Sequence, residues 1–112
     1  MATIPVQHTL EAQSMESLEQ RFRRLEAKWE AETLFLSDAH RIIEHPAFQE
    51  IISLGEAVIP FMLHDLEQGP RQWVWALARI TGANPVPPAD GGNLRKMAEA
   101  WLRWARENGY QW

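Results

Sequence analysis

Proline and glycine punctuate this chain so closely that only short helices fit between them. The breakpoints are Pro46, Gly55, Pro60, the pair Gly69 and Pro70, Gly82, the run of residues 84–92, and Gly109. Proline lacks a backbone N–H and suits the first turn of a helix, whereas glycine takes the left-handed conformation that ends one. Between these points apolar side chains recur at helical spacing, and no segment shows convincing period-two alternation. The pattern predicts an all-α fold: five or six short helices in a compact bundle. Residues 14–112 form the single domain, and residues 1–13, aperiodic and containing Pro5, read as a flexible N-terminal arm.

Each helix can be placed from its caps and its stripe. Ser14 or Ser17 caps the first, whose apolar stripe is Leu18, Phe22, Leu25 and Trp29. Its other face is charged, with Glu26–Glu30 and Arg24–Lys28 expected on exposed turns and the cluster Arg21, Arg23 and Arg24 solvated among glutamates. Leu34, Phe35 and Leu36 are expected to turn into the core. Ser37 and Asp38 then cap a short helix ending at Ile43, and Pro46 opens another with Phe48, Ile51 and Ile52 inward. Residues 56–68 follow, with Ile59, Met62, Leu63 and Leu66 inward, then a helix carrying Trp73, Ala76, Leu77 and Ile80. A Pro- and Gly-rich loop without regular structure leads to a last helix over residues 93–108, which buries Leu94, Met97, Trp101 and Ala105 and leaves residues 110–112 as a tail.

Composition matters mainly for what it removes. The 112 residues contain no cysteine, which rules out disulfides, thiolate metal sites and a cysteine nucleophile, and fits a reducing compartment. No apolar run approaches the roughly 18 residues of a membrane span, and the first residues lack the pattern of a signal peptide, so a cytoplasmic location is expected. The net charge of −4 argues against nucleic-acid binding, which needs clustered Lys and Arg. Residues 1–67 hold twelve acidic and five basic side chains; residues 68–112 hold three and six.

Six tryptophans stand out: Trp29, Trp73, Trp75, Trp101, Trp104 and Trp112. Trp73 and Trp75 lie about 200° apart on a helix, so both cannot enter the same core. Trp29, Trp73 and Trp101 fit the core stripes. Trp75 is expected at the surface, where aromatic side chains anchor protein interfaces.

The stretch AVIPFMLHDLEQGPRQWVWALARITG, residues 57–82, resembles a HEAT-type helical hairpin, with a proline early in the first helix and an Ala-Leu-x-x-Ile close on the second. More broadly, residues 45–112 resemble a group of small uncharacterised bacterial proteins common in cyanobacteria. His45 and Pro46, Gln49, Ile51 and Ile52, Gly55, Ile59 and Pro60, the Pro70 to Trp73 spacing, Ala76 and Leu77, residues 80–82, residues 85–87, residues 100–102, and Gly109 and Tyr110 carry the resemblance. It implies no activity. Members often sit beside another short gene, which implies an antitoxin or immunity role.

The chemistry-bearing residues offer few constellations. His40, Glu44 and His45 form the one metal-like cluster, with His64, Asp65 or Glu50 as a further ligand, but the spacing is off the zincin pattern and Pro46 breaks the helix there. Ser37, Asp38 and His40 have a triad's residue types yet are contiguous, and Ser37 reads better as a cap. Gly91 and Gly92 before the last helix read as a plain connection rather than an anion site. The reading is therefore a non-catalytic protein-binding module without cofactor, an antitoxin or immunity-type inhibitor that covers its partner with an aromatic and arginine surface. The expected contact residues are Trp75, Arg71, Arg79, Trp104 and Trp112, beside the loop 84–90. Self-association through the same tryptophans is compatible with it. The alternatives are a metal protein built on His40, Glu44 and His45, and a nucleic-acid-binding regulator built on Arg21, Arg23 and Arg24.

Overall fold

The computed structural model describes residues 16–69 and 72–112. The expected arm and the Ser14 cap lie outside the described residues. Among the described residues the α-helices are α1 (Leu18–Thr33), α2 (Ala39–Ile43), α3 (Pro46–Ser53), α4 (Ile59–Gln68), α5 (Trp73–Thr81) and α6 (Leu94–Glu107). Short 3-10 turns at Gly55–Val58 and Pro88–Asp90 complete the secondary structure of the described residues, none of which is in a strand. No helix among them is long and apolar enough to cross a membrane.

Local chemistry sets the boundaries. Ser17 caps α1 in a reciprocal box: its hydroxyl accepts from the Gln20 N–H while the Gln20 side chain accepts from the Ser17 N–H. Asp38, rather than Ser37, caps α2 by accepting from the His40 N–H. His45 caps α3 through Nδ1, which accepts from Ala47 N–H, and Pro46 occupies the first turn. The helix expected to begin at residue 56 starts with a 3-10 turn and becomes α-helical at Ile59, with Pro60 in the first turn. The loop before α6 is not wholly irregular, since Pro88–Asp90 forms its own 3-10 turn. Asn93 caps α6.

The end of α6 has a precise function in the fold. Gly109, at φ +81°, reverses the chain, its N–H donating to Arg106 C=O and the Tyr110 N–H to Ala105 C=O. This double bond pattern is a Schellman cap, and its usual apolar contact falls on Trp104, whose ring lies 5.5 Å from that of Tyr110. Within the tail expected over residues 110–112, Tyr110 is therefore folded back on the helix that precedes it.

Helix α1 lies along α3 in the most extensive helix–helix contact, α3 touches α5, and α4 and α5 both pack on α6. The consecutive pair expected over residues 57–82 is present as α4 and α5, joined through residues 69–72. All of these helices except α6 meet at Trp73, which is 1% exposed. Its ring lies 5.2 Å from Phe22, 5.5 Å from Trp29 and 6.0 Å from Phe48, and α4 supplies Asp65, whose carboxylate accepts from the indole N–H at 3.0 Å. Trp29 donates its own N–H to Ile42 C=O at 2.7 Å. Buried indoles need such acceptors, and both are supplied from within the fold.

Two expectations about α1 are corrected here. Arg23 is not a solvated cation: it reaches across to α4 and grips both oxygens of Asp65, at 2.7 and 2.9 Å, while also bonding Glu26 at 2.8 Å. Glu26, expected on an exposed turn, is buried. Burial pushes its carboxyl above the ordinary range, against the pull of Arg23. The second correction concerns the turn after the helix. Leu34 and Phe35 point outward, at 71% and 95% exposed. The inward position after Trp29 belongs to Thr33, four residues on, which is buried and returns its hydroxyl to Trp29 C=O. Residues 34 and 35 follow about 100° and 200° further round, so the turn directs them to solvent.

Candidate functional site

Packing of α5 against α6 leaves a groove that the Pro-rich loop completes. Trp73, Val74, Ala76 and Leu77 take the buried side of α5, which turns Trp75 toward the groove, half-buried. The walls are Trp75, Val86, Pro87, Pro88, Met97 and Trp101, around a cavity of about 330 Å³, and no lining residue is charged. The loop holds its shape through the 3-10 turn and through Lys96, which lies 3.8 Å from Asp90. Gly82, at φ +73°, ends α5 and starts the loop back across it. An uncharged wall of indole, proline and methionine suits an apolar or proline-containing segment and offers no group for acid–base chemistry.

A chain of rings leads away from this groove. Trp101 forms part of its floor and meets Trp104 edge-on at 5.3 Å, and Trp104 meets Tyr110. The Tyr110 hydroxyl donates to Glu56, 3.2 Å away, and burial together with that carboxylate raises the phenol pKa. Trp112 donates its N–H to Glu67, and the Arg106 guanidinium sits 5.7 Å from its ring. The expected contact residues are thus divided. Trp75 lines the groove with Asn84, Val86, Pro87 and Pro88, Trp104 belongs to the ring chain, and Trp112 occupies a separate shallow surface with Glu67, Arg106 and Tyr110. Arg79 is exposed and reaches Gln49 on α3 at 3.4 Å, outside the groove's walls. Arg71 lies outside the described residues.

Several residues of the alternative readings have partners within the fold. His40 and Glu44 are both exposed, with 3.8 Å between nitrogen and oxygen. His45 uses Nδ1 to cap α3 and faces Glu32 through Nε2 at 2.9 Å. Asp65, named as a possible further metal ligand, is committed to Arg23 and Trp73. Among the described residues, no group of three or more His, Cys, Asp or Glu is placed to hold a metal ion. Arg21 and Arg24 both point at Glu16, with Arg24 at 2.9 and 3.0 Å. The guanidinium of Arg24 holds the Glu16 carboxyl below its usual range. All three candidate phosphate-binding arginines therefore have carboxylate partners.

Sequence reasoning missed two things. The Arg23 to Asp65 pair joins residues 42 apart and leaves no local signal. The exposure of Phe35 did have one: continuing the stripe from Trp29 reaches Thr33 first, which puts Leu34 and Phe35 out of phase.

Comparison of the chain with known protein families, with curated proteins and with solved structures finds no match.

Proposed function

We propose that this chain is a small non-catalytic protein-binding module that holds an apolar segment of a partner protein in the groove between α5, α6 and the Pro-rich loop. The observation that supports it best is the groove itself: a half-buried Trp75 facing Pro87, Pro88, Met97 and Trp101 with no charge among the walls. Aromatic and proline surfaces of this kind bind extended segments whose order costs little entropy. Trp104 and Trp112 extend the aromatic surface beyond it, and the exposed Arg79 of α5 belongs to the same proposal, as does Arg71, which lies outside the described residues. The pairing of His45, Asp65 and the three α1 arginines within the chain adds support, because it occupies residues on which the metal and nucleic-acid readings would draw. An antitoxin or immunity-type inhibitor acting in the cytoplasm is the finer form of this proposal. It draws on the resemblance of residues 45–112 and on the absence of cysteine.

The test is capture of partners from a bacterial lysate by the tagged full chain, read by mass spectrometry beside a Trp75→Ala variant. A stoichiometric partner retained by the parent and lost by the variant is the expected outcome. A partner held equally by both would move the binding surface away from the groove, and no partner at all would contradict the reading.

A further inference from the structure

One histidine is bonded at both of its ring nitrogens, and the two bonds lead to different helices. His45, whose side chain is 15% exposed, stands at the start of α3, where its Nδ1 accepts from the Ala47 N–H at 3.0 Å. Its Nε2 lies 2.9 Å from a carboxylate oxygen of Glu32, in the last turn of α1. An ionised carboxylate can only accept, so Nε2 carries the proton, and Nδ1, which accepts, carries none. These contacts fix the ring as the neutral Nε2–H tautomer. A single ring thus spans the joint between α1 and α3, the most extensive helix–helix contact of the fold.

We infer that His45 is a pH-sensitive switch in that joint: neutral, it ties α3 to α1, and protonated, it stays with Glu32 and releases the start of α3. The second proton has one place to go, Nδ1, where it turns the acceptor of the Ala47 N–H into a donor that faces it. The N-terminal end of α3 also opposes a positive charge there. At Nε2 the same proton strengthens the bond to Glu32, because both partners are then charged. One tie is exchanged for the other. Histidine makes this change within the range of roughly pH 5 to 8. The switch lies apart from the groove and needs no partner in it.

The released bond matters because of what it holds. Pro46 has no N–H, and the Ala47 N–H lies in the first turn, where no carbonyl of the helix can reach it, so the imidazole is its acceptor. Ala47 and Phe48 are both buried, and the Phe48 ring packs on Trp29 and Trp73. Loss of the cap therefore loosens α3 at the turn where it enters the core. The bonds from Trp29 to Ile42 C=O and from the Gln49 side chain to Ile43 C=O contain no titrating group, and they keep the helices docked. Among the described residues, Glu32 is the charged partner of the ring. Around it, His40 and Glu44 pair with each other, Arg79 of α5 goes to Gln49, Glu56 of the 3-10 turn accepts from Tyr110, and Lys28, Arg41 and Glu50 are exposed.

Nitrogen and amide-exchange NMR of the isotope-labelled full chain, between about pH 8 and about pH 5, tests this. At the upper end the His45 ring should show the Nε2–H tautomer, with Nδ1 unprotonated. As the ring takes its second proton, protection of the Ala47 amide, corrected for the intrinsic exchange rate, should fall about threefold to tenfold. The Trp29 indole N–H should keep its protection. His45→Asn, whose side-chain oxygen caps a helix without titrating, should hold the Ala47 protection constant across the range. Glu32→Gln removes the carboxylate that receives the cation, so its native state binds the second proton less readily than its unfolded chain. Its melting temperature should therefore fall by about 2–5 °C more than the parent's on going to the lower pH. An Nδ1–H tautomer at the upper pH overturns the proposal. So does an Ala47 amide that ignores the titration of His45, or one that loses protection equally in His45→Asn. A Glu32→Gln variant that follows the parent at both pH values overturns it as well, because no tie is then exchanged.

Discussion

The molecule carries two aromatic clusters built from the same residue types and treated in opposite ways. Around Trp73, the rings of Phe22, Trp29 and Phe48 are buried, and both indole N–H groups find acceptors supplied by the fold, Asp65 and Ile42 C=O. Among the rings along α6 and after it, only Trp101 is fully buried; Trp104, Tyr110 and Trp112 stay half-exposed, and Tyr110 and Trp112 bond Glu56 and Glu67 at the surface. The difference teaches that a tryptophan's place is decided by whether its stripe coincides with another helix's stripe and whether a buried acceptor awaits its N–H. The first cluster is where the bundle is held together. The second is where an aromatic surface can be offered to something else.

Substitutions at matched positions can break this contrast. Trp73→Ala removes the ring on which α1, α3 and α5 converge, along with its hydrogen bond to Asp65, so a loss of about 3–5 kcal/mol in urea unfolding is expected. Trp104→Ala, at the surface cluster, should cost only about 1–2 kcal/mol in the same experiment. Similar losses at both positions would erase the distinction. Asp65→Ala comes between them. It leaves the Trp73 N–H without its acceptor and takes both bonds from Arg23, for about 2–3 kcal/mol, tempered by the partial exposure of Arg23.

Titration sharpens the same contrast with smaller effects. The folded-state pKa of Glu26 is raised above its unfolded value by burial, so the native state holds its proton more tightly than the unfolded chain does. The resulting penalty is absent below the ordinary carboxyl range, and it grows as pH rises through that range to the raised folded value. Glu26→Gln should therefore stabilise the protein at neutral pH relative to acid, by about 0.5 kcal/mol or less given the opposing bond to Arg23. Unfolding of parent and variant at pH 7 and pH 3 checks the sign. At the other cluster, Tyr110 is the one tyrosine of the chain, so its phenolate absorbance reports one site. Its midpoint should lie above the ordinary phenol value and fall part of the way back in Glu56→Gln, because burial remains when the charge is gone.

Much of this architecture was legible in the sequence, for reasons that can be named. Helix positions followed from Pro46, Gly55, Gly82 and Gly109, because caps and breakers act through local geometry. The burial of Trp29, Trp73 and Trp101 followed from periodicity. The errors came where the answer depended on a distant partner or on phase. Arg23 looks like a neighbour of Arg21 and Arg24 until α4 brings Asp65 beside it. Leu34, Phe35 and Leu36 look like core because they are apolar, yet Thr33 has already taken the inward position. Of the candidate site, the sequence separated Trp75 from Trp73 by angle, but the walls opposite Trp75 depend on how the loop crosses α5 and α6, which no local pattern records.

The central claim is that neighbouring tryptophans on α5 serve different ends, Trp73 the fold and Trp75 a partner. The direct measurement pairs Trp75→Ala with Trp73→Ala and reads thermal stability and partner capture on each. The account predicts that Trp75→Ala keeps its melting temperature to within about 5 °C, which is about 1 kcal/mol for a domain this size, and loses the captured partner. Trp73→Ala should lose stability first and capture only as a consequence. If Trp75→Ala instead melts as early as Trp73→Ala, or melts normally and keeps every partner, Trp75 is part of the core or of nothing, and the claim is contradicted.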